Sequence, residues 1–187
     1  MTKFQIREYY KTKRTALSTT EIESLSFNIT NQLHSTFNFE NKFVHTFYTV
    51  KHLKEIDTYK INNSLLLSNC KVATSITQFN PLHLNHSLIT SKTNFILDNF
   101  KIPIPSKTIP INLKNLDFVL IPLLAFDKYG NRVGYGKGLY DSFLKDCNPS
   151  CIKIGLSLFD VYHDLIPSEK HDIQLDYCIT PYNSYSF

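Results

Sequence analysis

The glycines of this chain are concentrated in one short segment. Of five glycines in 187 residues, four lie between Gly130 and Gly138. An uninterrupted apolar run, residues 118–124, precedes this segment, and a helix-like pattern, residues 139–144, follows it. The continuous apolar run is typical of a central strand that is buried on both faces. A chain with so little glycine elsewhere has a local requirement for it here, and a buried strand, a glycine loop and a helix in this order favour an α/β fold.

Strand and helix patterns alternate along the rest of the chain. Helical patterns are predicted at residues 3–17, from the capping box Ser18–Glu21 onward, from Glu55 to Leu67, and from the glycine loop to about Asp146. Strands are predicted at residues 42–50, 71–77, 82–89, 118–124, 152–158 and 177–180. We expect one α/β domain over residues 1–187, with three layers: a mostly parallel sheet, helices on both faces, and an N-terminal helical pair.

The charge and composition exclude several classes of protein. Lys plus Arg number 20 and Asp plus Glu 16, and this mild excess suits an anionic small ligand at least as well as nucleic acid. We find no RNP, zinc-finger or basic-zipper signature, no signal-peptide core, and no run of about 18 apolar residues that could span a bilayer. Four cysteines without a C-x-x-C pair are typical of free thiols. We therefore expect a cytoplasmic protein without nucleic-acid or membrane partners.

The glycine loop has the features of an anion-binding site. Glycines let backbone N–H groups approach a phosphate closely, and the N-terminus of the next helix adds unpaired N–H groups and partial positive charge. Arg132 and Lys137 add two cations, and Lys3, Arg7, Lys11 and Arg14 lie along one face of the first predicted helix. The loop matches neither the Walker A motif nor the dinucleotide fingerprint. The alternative is a flexible turn with solvated basic residues.

Carboxylates near the loop allow two interpretations. Asp141 lies on the first turn of the following helix, where it either stabilises the helix N-terminus or holds Mg²⁺ against phosphate oxygens. Asp172 and Asp176 supply further carboxylates before the last predicted strand. The sequence alone does not indicate which of these carboxylates would bind the metal ion.

Two histidines invite a metal-site interpretation. His83 and His86 are three residues apart on a predicted strand, so their side chains would point to opposite faces. Because no third ligand is close in the sequence, we expect surface histidines.

These motifs together resemble the 5-formyltetrahydrofolate cyclo-ligase family, also called 5,10-methenyltetrahydrofolate synthetases. The most specific motif, residues 125–141, reads Ala-Phe-Asp-x-x-Gly-Asn-Arg-x-Gly-Tyr-Gly-Lys-Gly-x-Tyr-Asp. The other segments are Lys3-x-x-x-Arg7 with Arg14, Glu55-Ile-Asp-Thr58, Gly155-Leu, and Pro167-x-Glu-x-His-Asp-x-x-Leu-Asp176. The resemblance covers almost the whole chain.

The resemblance implies an enzyme that uses ATP and Mg²⁺ to convert 5-formyltetrahydrofolate into 5,10-methenyltetrahydrofolate, ADP and phosphate. ATP would phosphorylate the formyl oxygen, the second folate nitrogen would attack the activated carbon, and phosphate would leave. The implied small-molecule partners are a reduced folate and ATP, and we expect a monomer. The alternative is a diverged relative of the same fold that binds nucleotide or folate without turnover.

The resemblance also implies roles for individual residues. It assigns catalysis to Arg132, Lys137 and Tyr140, and Mg²⁺ binding to Asp141 and Asp172. The implied ATP site comprises Lys3, Arg7, Arg132, Val133, Gly134, Tyr135, Gly136, Lys137, Gly138, Leu139 and Tyr140. The implied substrate site comprises Glu55, Phe47, Tyr48 and Tyr135. A carboxylate such as that of Glu55 suits the pterin ring, because the ring offers adjacent N–H and amino donors.

Four single residues and one strand depart from the family pattern. The strand Lys71-Val-Ala-Thr-Ser lacks the proline that is often found at its end. Leu139 stands where a tyrosine is usual, Ser142 where an arginine is common, Ile104 where a Glu-Pro pair is frequent, and Val161 where a glutamine is usual. We expect these departures to lie in or near the substrate side, with the phosphate side intact.

Overall fold

The computed structural model describes residues 1–99 and 101–187. Its helices are α1 (Lys3–Thr15), α2 (Thr19–Thr36), α3 (Tyr59–Leu67) and α4 (Leu139–Asp146). Its strands are β1 (Phe43–Thr46), β2 (Lys71–Phe79), β3 (Leu82–Ile89), β4 (Phe95–Leu97), β5 (Pro103–Pro105), β6 (Phe118–Pro122), β7 (Ala125–Phe126), β8 (Arg132–Val133), β9 (Ile152–Leu156), β10 (Tyr177–Ile179) and β11 (Ser184–Ser186). None of the helices in the described ranges is long and apolar enough to cross a membrane.

Seven strands form one sheet in the order β11-β10-β9-β6-β1-β2-β3. The five inner strands run parallel, and the edge strands β3 and β11 pair antiparallel to their neighbours. Helices α2 and α3 cover one face of this sheet and α4 covers the other. The predicted three-layer α/β fold with a mostly parallel sheet is therefore confirmed.

Strand β6 shows why the apolar run before the glycine loop is a central strand. Its side chains alternate between the two faces of the sheet, because successive residues of a strand point in opposite directions. Leu120 packs in the core under α2 and α3, whereas Val119 and Ile121 pack in the core under α4. All three are completely buried.

The two N-terminal helices begin at capping boxes, Thr2 with Gln5 and Ser18 with Glu21. Helix α2 lies on the sheet. Helix α1 instead packs through Ile6 on the β7–β8 hairpin. This position brings the N-terminal residues of the chain beside the glycine loop.

The prediction that Glu55 opens a helix is wrong, because α3 begins at Tyr59. The segment before it is instead held in a non-helical connection against the end of β1 by side-chain hydrogen bonds. The Thr58 hydroxyl donates to the Phe47 carbonyl at 2.8 Å, and the Val50 N–H donates to the Glu55 carboxylate at 2.9 Å. Glu55 therefore lies in a loop at the carboxyl end of β1.

The prediction of surface histidines is wrong for His86. Helix α4 covers this part of β3, and the His86 ring lies 4.2 Å from the Phe143 ring. His86 Nδ1 lies 3.0 Å from Nε2 of His45, which is completely buried in β1. Among the residues that the structure describes, no group of three or more His, Cys, Asp or Glu side chains could hold a metal ion on its own.

We expect His86 to make the fold sensitive to acid. Burial lowers the pKa of His86 from 6.5 to about 4, against the opposing charge of Asp146. The folded state favours the neutral imidazole, so stability is lost as the pH falls from about 6.5 towards 4. Urea denaturation measures how far the free energy of unfolding falls between pH 7 and pH 4. In His86→Gln this fall should be smaller than in the natural chain by on the order of 3 kcal/mol.

The matched control is His83→Gln, since His83 is exposed on the same strand. It should keep the pH dependence of the natural chain. An equal pH dependence in the natural chain and His86→Gln would contradict the assignment.

Candidate functional site

A cavity of about 330 Å³ lies where the carboxyl ends of β1, β2 and β6 meet the glycine loop and α1. In parallel α/β sheets, ligands bind at this edge. Every residue that the resemblance implies for the site lines this cavity: Lys3, Arg7, Phe47, Tyr48, Glu55, Arg132, Val133, Gly134, Tyr135, Gly136, Lys137, Gly138, Leu139, Tyr140, Asp141 and Asp172. Of the four single-residue departures from the family pattern, Leu139 is part of this lining, whereas Ile104, Ser142 and Val161 are not.

The glycine loop needs its glycines for two local reasons. Gly136 and Gly138 have positive φ angles of 86° and 65°, and Gly138 directly precedes α4. A Cβ atom at Gly136 would also lie only 2.9 Å from the guanidinium carbon of Arg7. Arg7 Nε donates to the Gly134 carbonyl at 2.9 Å, so α1 holds the loop through this guanidinium.

A buried carboxylate fixes the turn that leads into the loop. Asp127 is completely buried in the motif and accepts four hydrogen bonds. Its donors are the N–H groups of Tyr129, Asn131 and Ile166 and the side-chain amide of Asn131, at 2.9 to 3.0 Å. Asp127 therefore joins the β7–β8 turn to the segment at residues 166–174, which forms the opposite wall of the cavity.

Two cation–carboxylate pairs line that wall. Asp141 Oδ1 accepts from Arg132 Nη2 at 2.8 Å and from the Ile173 N–H at 3.0 Å. Arg132 also donates to the Ile173 carbonyl. Asp172 Oδ2 forms an ion pair with Lys3 and accepts from the Glu169 N–H. Partial burial would raise the pKa of Asp172, but the Lys3 ammonium and the Glu169 N–H hold it below its ordinary value.

These carboxylates fit a hard cation that takes most of its ligands from phosphate and water. Within residues 1–99 and 101–187, hydrogen bonds reach Oδ1 of Asp141 and Oδ2 of Asp172. The second oxygen of each carboxylate has no hydrogen-bond donor within the same ranges. Mg²⁺ usually binds through one or two carboxylates together with phosphate oxygens, so the donor set has the right chemistry.

The remaining two residues with implied catalytic roles lie on different sides of the cavity. Lys137 is exposed on the loop, with Nζ 5.5 Å from the centre of the Phe79 ring. Tyr140 lies on the inner wall, where burial, and then the charge of Glu55, raise the pKa of its hydroxyl above 10. Lys137 is thus the solvent-facing cation of the loop, and Tyr140 belongs to the Glu55 side.

Glu55 is the buried acid of the cavity, with 7% of its surface exposed. Its Oε2 accepts from the Val50 N–H at 2.9 Å, and its Oε1 accepts from the Tyr135 hydroxyl. Burial raises the pKa of Glu55, and these two hydrogen bonds oppose the rise. Phe47 and Tyr48 line the cavity beside it. The arrangement offers one carboxylate among aromatic rings, which suits a flat ligand with polar N–H groups.

Sequence reasoning missed a second group of cavity residues, which come from β2, β3 and the start of β5 with the residue before it. They are Thr74, Ser75, Thr77, Leu84, Ile102 and Pro103. Strand β2 pairs with β1 in parallel register, so that Thr74 lies opposite Thr46 and both strands end at the same edge. The order of strands in the sheet would have indicated this group, but that order is not readable from local patterns.

A model of the 5-formyltetrahydrofolate cyclo-ligase family matches residues 1–181. Among curated proteins, the chain is similar to the 5-formyltetrahydrofolate cyclo-ligase of Mycoplasma genitalium, with 37% identity over 92 residues. The match spans 49% of this chain and about half of that relative, 55% of its length.

Solved structures agree over almost the full chain. The 5,10-methenyltetrahydrofolate synthetase of Aquifex aeolicus superposes with a TM-score of 0.82 at 26% identity, covering 100% of this chain and 93% of that one. The synthetase of Mycoplasma pneumoniae shares the fold, with a TM-score of 0.74 at 22% identity over 97% of this chain and 99% of that one.

Proposed function

This chain belongs to the 5-formyltetrahydrofolate cyclo-ligase family, and we propose that it converts 5-formyltetrahydrofolate into 5,10-methenyltetrahydrofolate at the expense of ATP. The observation that carries the proposal is a single cavity that joins a cationic glycine loop to a buried carboxylate beside aromatic side chains. The loop suits the phosphates of ATP, and the carboxylate suits a pterin ring. The names of the similar proteins support the same activity.

On the folate side, Glu55 accepts hydrogen bonds from the pterin. An ionised carboxylate can accept from two adjacent donors at once, which gives both affinity and orientation. Phe47, Tyr48 and Tyr135 wall the ring. Leu139, where relatives usually carry a tyrosine, leaves this side with one hydroxyl fewer.

On the phosphate side, Lys137 and the backbone N–H groups of the loop bind ATP. The N-terminus of α4 adds partial positive charge at the same place. Lys3 and Arg132 hold the carboxylates of Asp172 and Asp141 in position. These two carboxylates would hold Mg²⁺, which, when bound, supplies positive charge against the phosphate oxygens.

The chemistry then requires alignment and neutralisation of charge rather than a covalent intermediate on the protein. The formyl oxygen attacks the terminal phosphorus of ATP, and ADP leaves. The second folate nitrogen attacks the formyl carbon and loses its proton, and the C–O bond breaks with release of phosphate. Lys137 stabilises the charge on the transferred group, and the Tyr140 hydroxyl orients the folate beside Glu55.

We further propose that residues 1–187 act as one domain, since both cores share one sheet. A monomer in the cytoplasm, without nucleic-acid or membrane partners, stays a prediction. The second candidate function is a non-catalytic binder of nucleotide or folate, which the missing tyrosine at Leu139 favours.

The test is the absorbance of the methenyl folate after mixing the protein with 5-formyltetrahydrofolate. We expect the absorbance to rise only when both Mg²⁺ and ATP are present. No rise, together with ATP-dependent protection of the protein against heat, would favour the non-catalytic binder. No rise, and no protection against heat by either ATP or 5-formyltetrahydrofolate, would contradict both functions.

A further inference from the structure

Helix α1 carries a buried arginine, Arg14, behind the cavity. Only 6% of its surface is exposed, and it is not among the residues that line the main cavity. We propose that Arg14 is a positioning residue for the Glu55 carboxylate and acts through the Tyr135 hydroxyl. The proposal rests on the proposed function in one respect, namely that Glu55 binds the folate.

The direction of the hydrogen bonds follows from the chemistry of the three groups. Arg14 Nη1 donates to the Tyr135 hydroxyl oxygen at 2.7 Å. A guanidinium has no acceptor, so the tyrosine oxygen must accept and its proton is left for another partner. That partner is Glu55 Oε1. Arg14 therefore determines which way the Tyr135 hydroxyl points.

The charges support the same coupling. A buried arginine needs a nearby negative charge, because the removal of a charge from water is unfavourable. Salt bridges within the described ranges do not include Arg14, and the carboxylate nearest to it along the hydrogen bonds is Glu55. Burial raises the pKa of Glu55, whereas the bonds from Tyr135 and Val50 and the charges of Arg14 and His52 lower it.

Tyr135 also belongs to the glycine loop, so Arg14 connects the two sides of the cavity. Arg7 holds the backbone of the loop at Gly134, and Arg14 holds the side chain of the next residue. The guanidinium of Arg14 also lies 5.5 Å from the centre of the Tyr135 ring. A pterin that binds Glu55 must share Oε1 with Tyr135, so Arg14 sets the geometry in which the carboxylate meets the folate.

The first experiment needs no ligand. Glu55 is titrated in the free protein by the ¹³C chemical shift of its carboxyl group, in the natural chain, Arg14→Leu and Arg14→Lys. We expect the titration of Glu55 to move to higher pH in Arg14→Leu and to move less in Arg14→Lys, which keeps the charge. The control Lys11→Ala removes an exposed cation, paired with Glu8, from the same helix and should change nothing. An unchanged titration in Arg14→Leu would overturn the proposal.

The second experiment measures binding by calorimetry. Arg14→Leu should bind 5-formyltetrahydrofolate about 10-fold more weakly, with ATP affinity retained. In a Tyr135→Phe background, the same substitution should have little further effect, because the hydroxyl through which it acts is absent. Additive effects would indicate a structural role and contradict the proposal.

Thermal denaturation identifies variants that fail to fold. If Arg14→Leu does not fold, Arg14→Lys replaces it in the double-mutant comparison with Tyr135→Phe. The two proposals fail in different ways. A natural chain that binds no folate counts against the proposed function, whereas the Glu55 titration decides the role of Arg14 without any folate.

Discussion

Replacing Lys137 with alanine should lower ATP-dependent cyclisation by about 100-fold or more while the protein keeps its fold. Lys137 is exposed, so truncation of its side chain leaves no buried group unpaired. Arg132, the other cation of the loop, already donates to Asp141 and to the Ile173 carbonyl. Lys137 is therefore the loop cation that is available to the transferred phosphoryl group. The measurement is kcat/KM at varied MgATP, together with the melting temperature.

Lys128→Ala is the matched control for this prediction. Lys128 lies in the same motif, is exposed, and has its Nζ 5.1 Å from the centre of the Tyr129 ring, much as Lys137 lies near Phe79. Its removal takes the same charge from the same region but away from the cavity, so turnover should be retained. If Lys137→Ala turns over as fast as the natural chain, the argument for a phosphate site in the loop is contradicted.

Local patterns predicted the elements on which the site is built. The apolar run became β6, the glycine cluster became a loop with positive φ angles, and the next pattern became α4. These features depend on neighbours in the chain, because alternation, positive φ and helix ends are short-range properties. Every site residue that the family motifs imply also lines the same cavity. Their roles stay predictions.

Long-range contacts could not be predicted in the same way. The basic residues of α1 follow one helical face in the sequence, but Arg14 is buried whereas Lys11 pairs with Glu8 at the surface. The partner of Arg14 is Tyr135, which lies 121 residues away. A basic residue on a helix is more often exposed, so its burial becomes readable only when the distant acceptor is known. The same holds for His45 and His86, which are 41 residues apart.

Replacing Glu55 with glutamine should weaken the binding of 5-formyltetrahydrofolate by about 100-fold and leave ATP binding unchanged. Glutamine keeps the shape of the side chain and one acceptor oxygen, so the bond from the Val50 N–H can re-form, whereas the NH2 group cannot accept from the Tyr135 hydroxyl. It loses the charge and the second acceptor, which the donor pair of the pterin needs. Calorimetric titration with each ligand separates the two affinities, and a loss confined to ATP would show that Glu55 serves the other side of the cavity.

The pH dependence gives an independent check on the same residue. Burial raises the pKa of Glu55 above its ordinary value, and only the ionised form accepts through both oxygens without an O–H that meets the donors of the pterin. Folate binding by the natural chain should therefore weaken as the pH falls through that raised pKa, and Glu55→Gln should lack this dependence. Glu23→Gln, an exposed substitution on α2, should keep both the affinity and the pH dependence of the natural chain. If the natural chain and Glu55→Gln lose folate affinity in parallel on acidification, the titrating group is not Glu55, and the carboxylate that recognises the pterin must be sought elsewhere on the cavity wall.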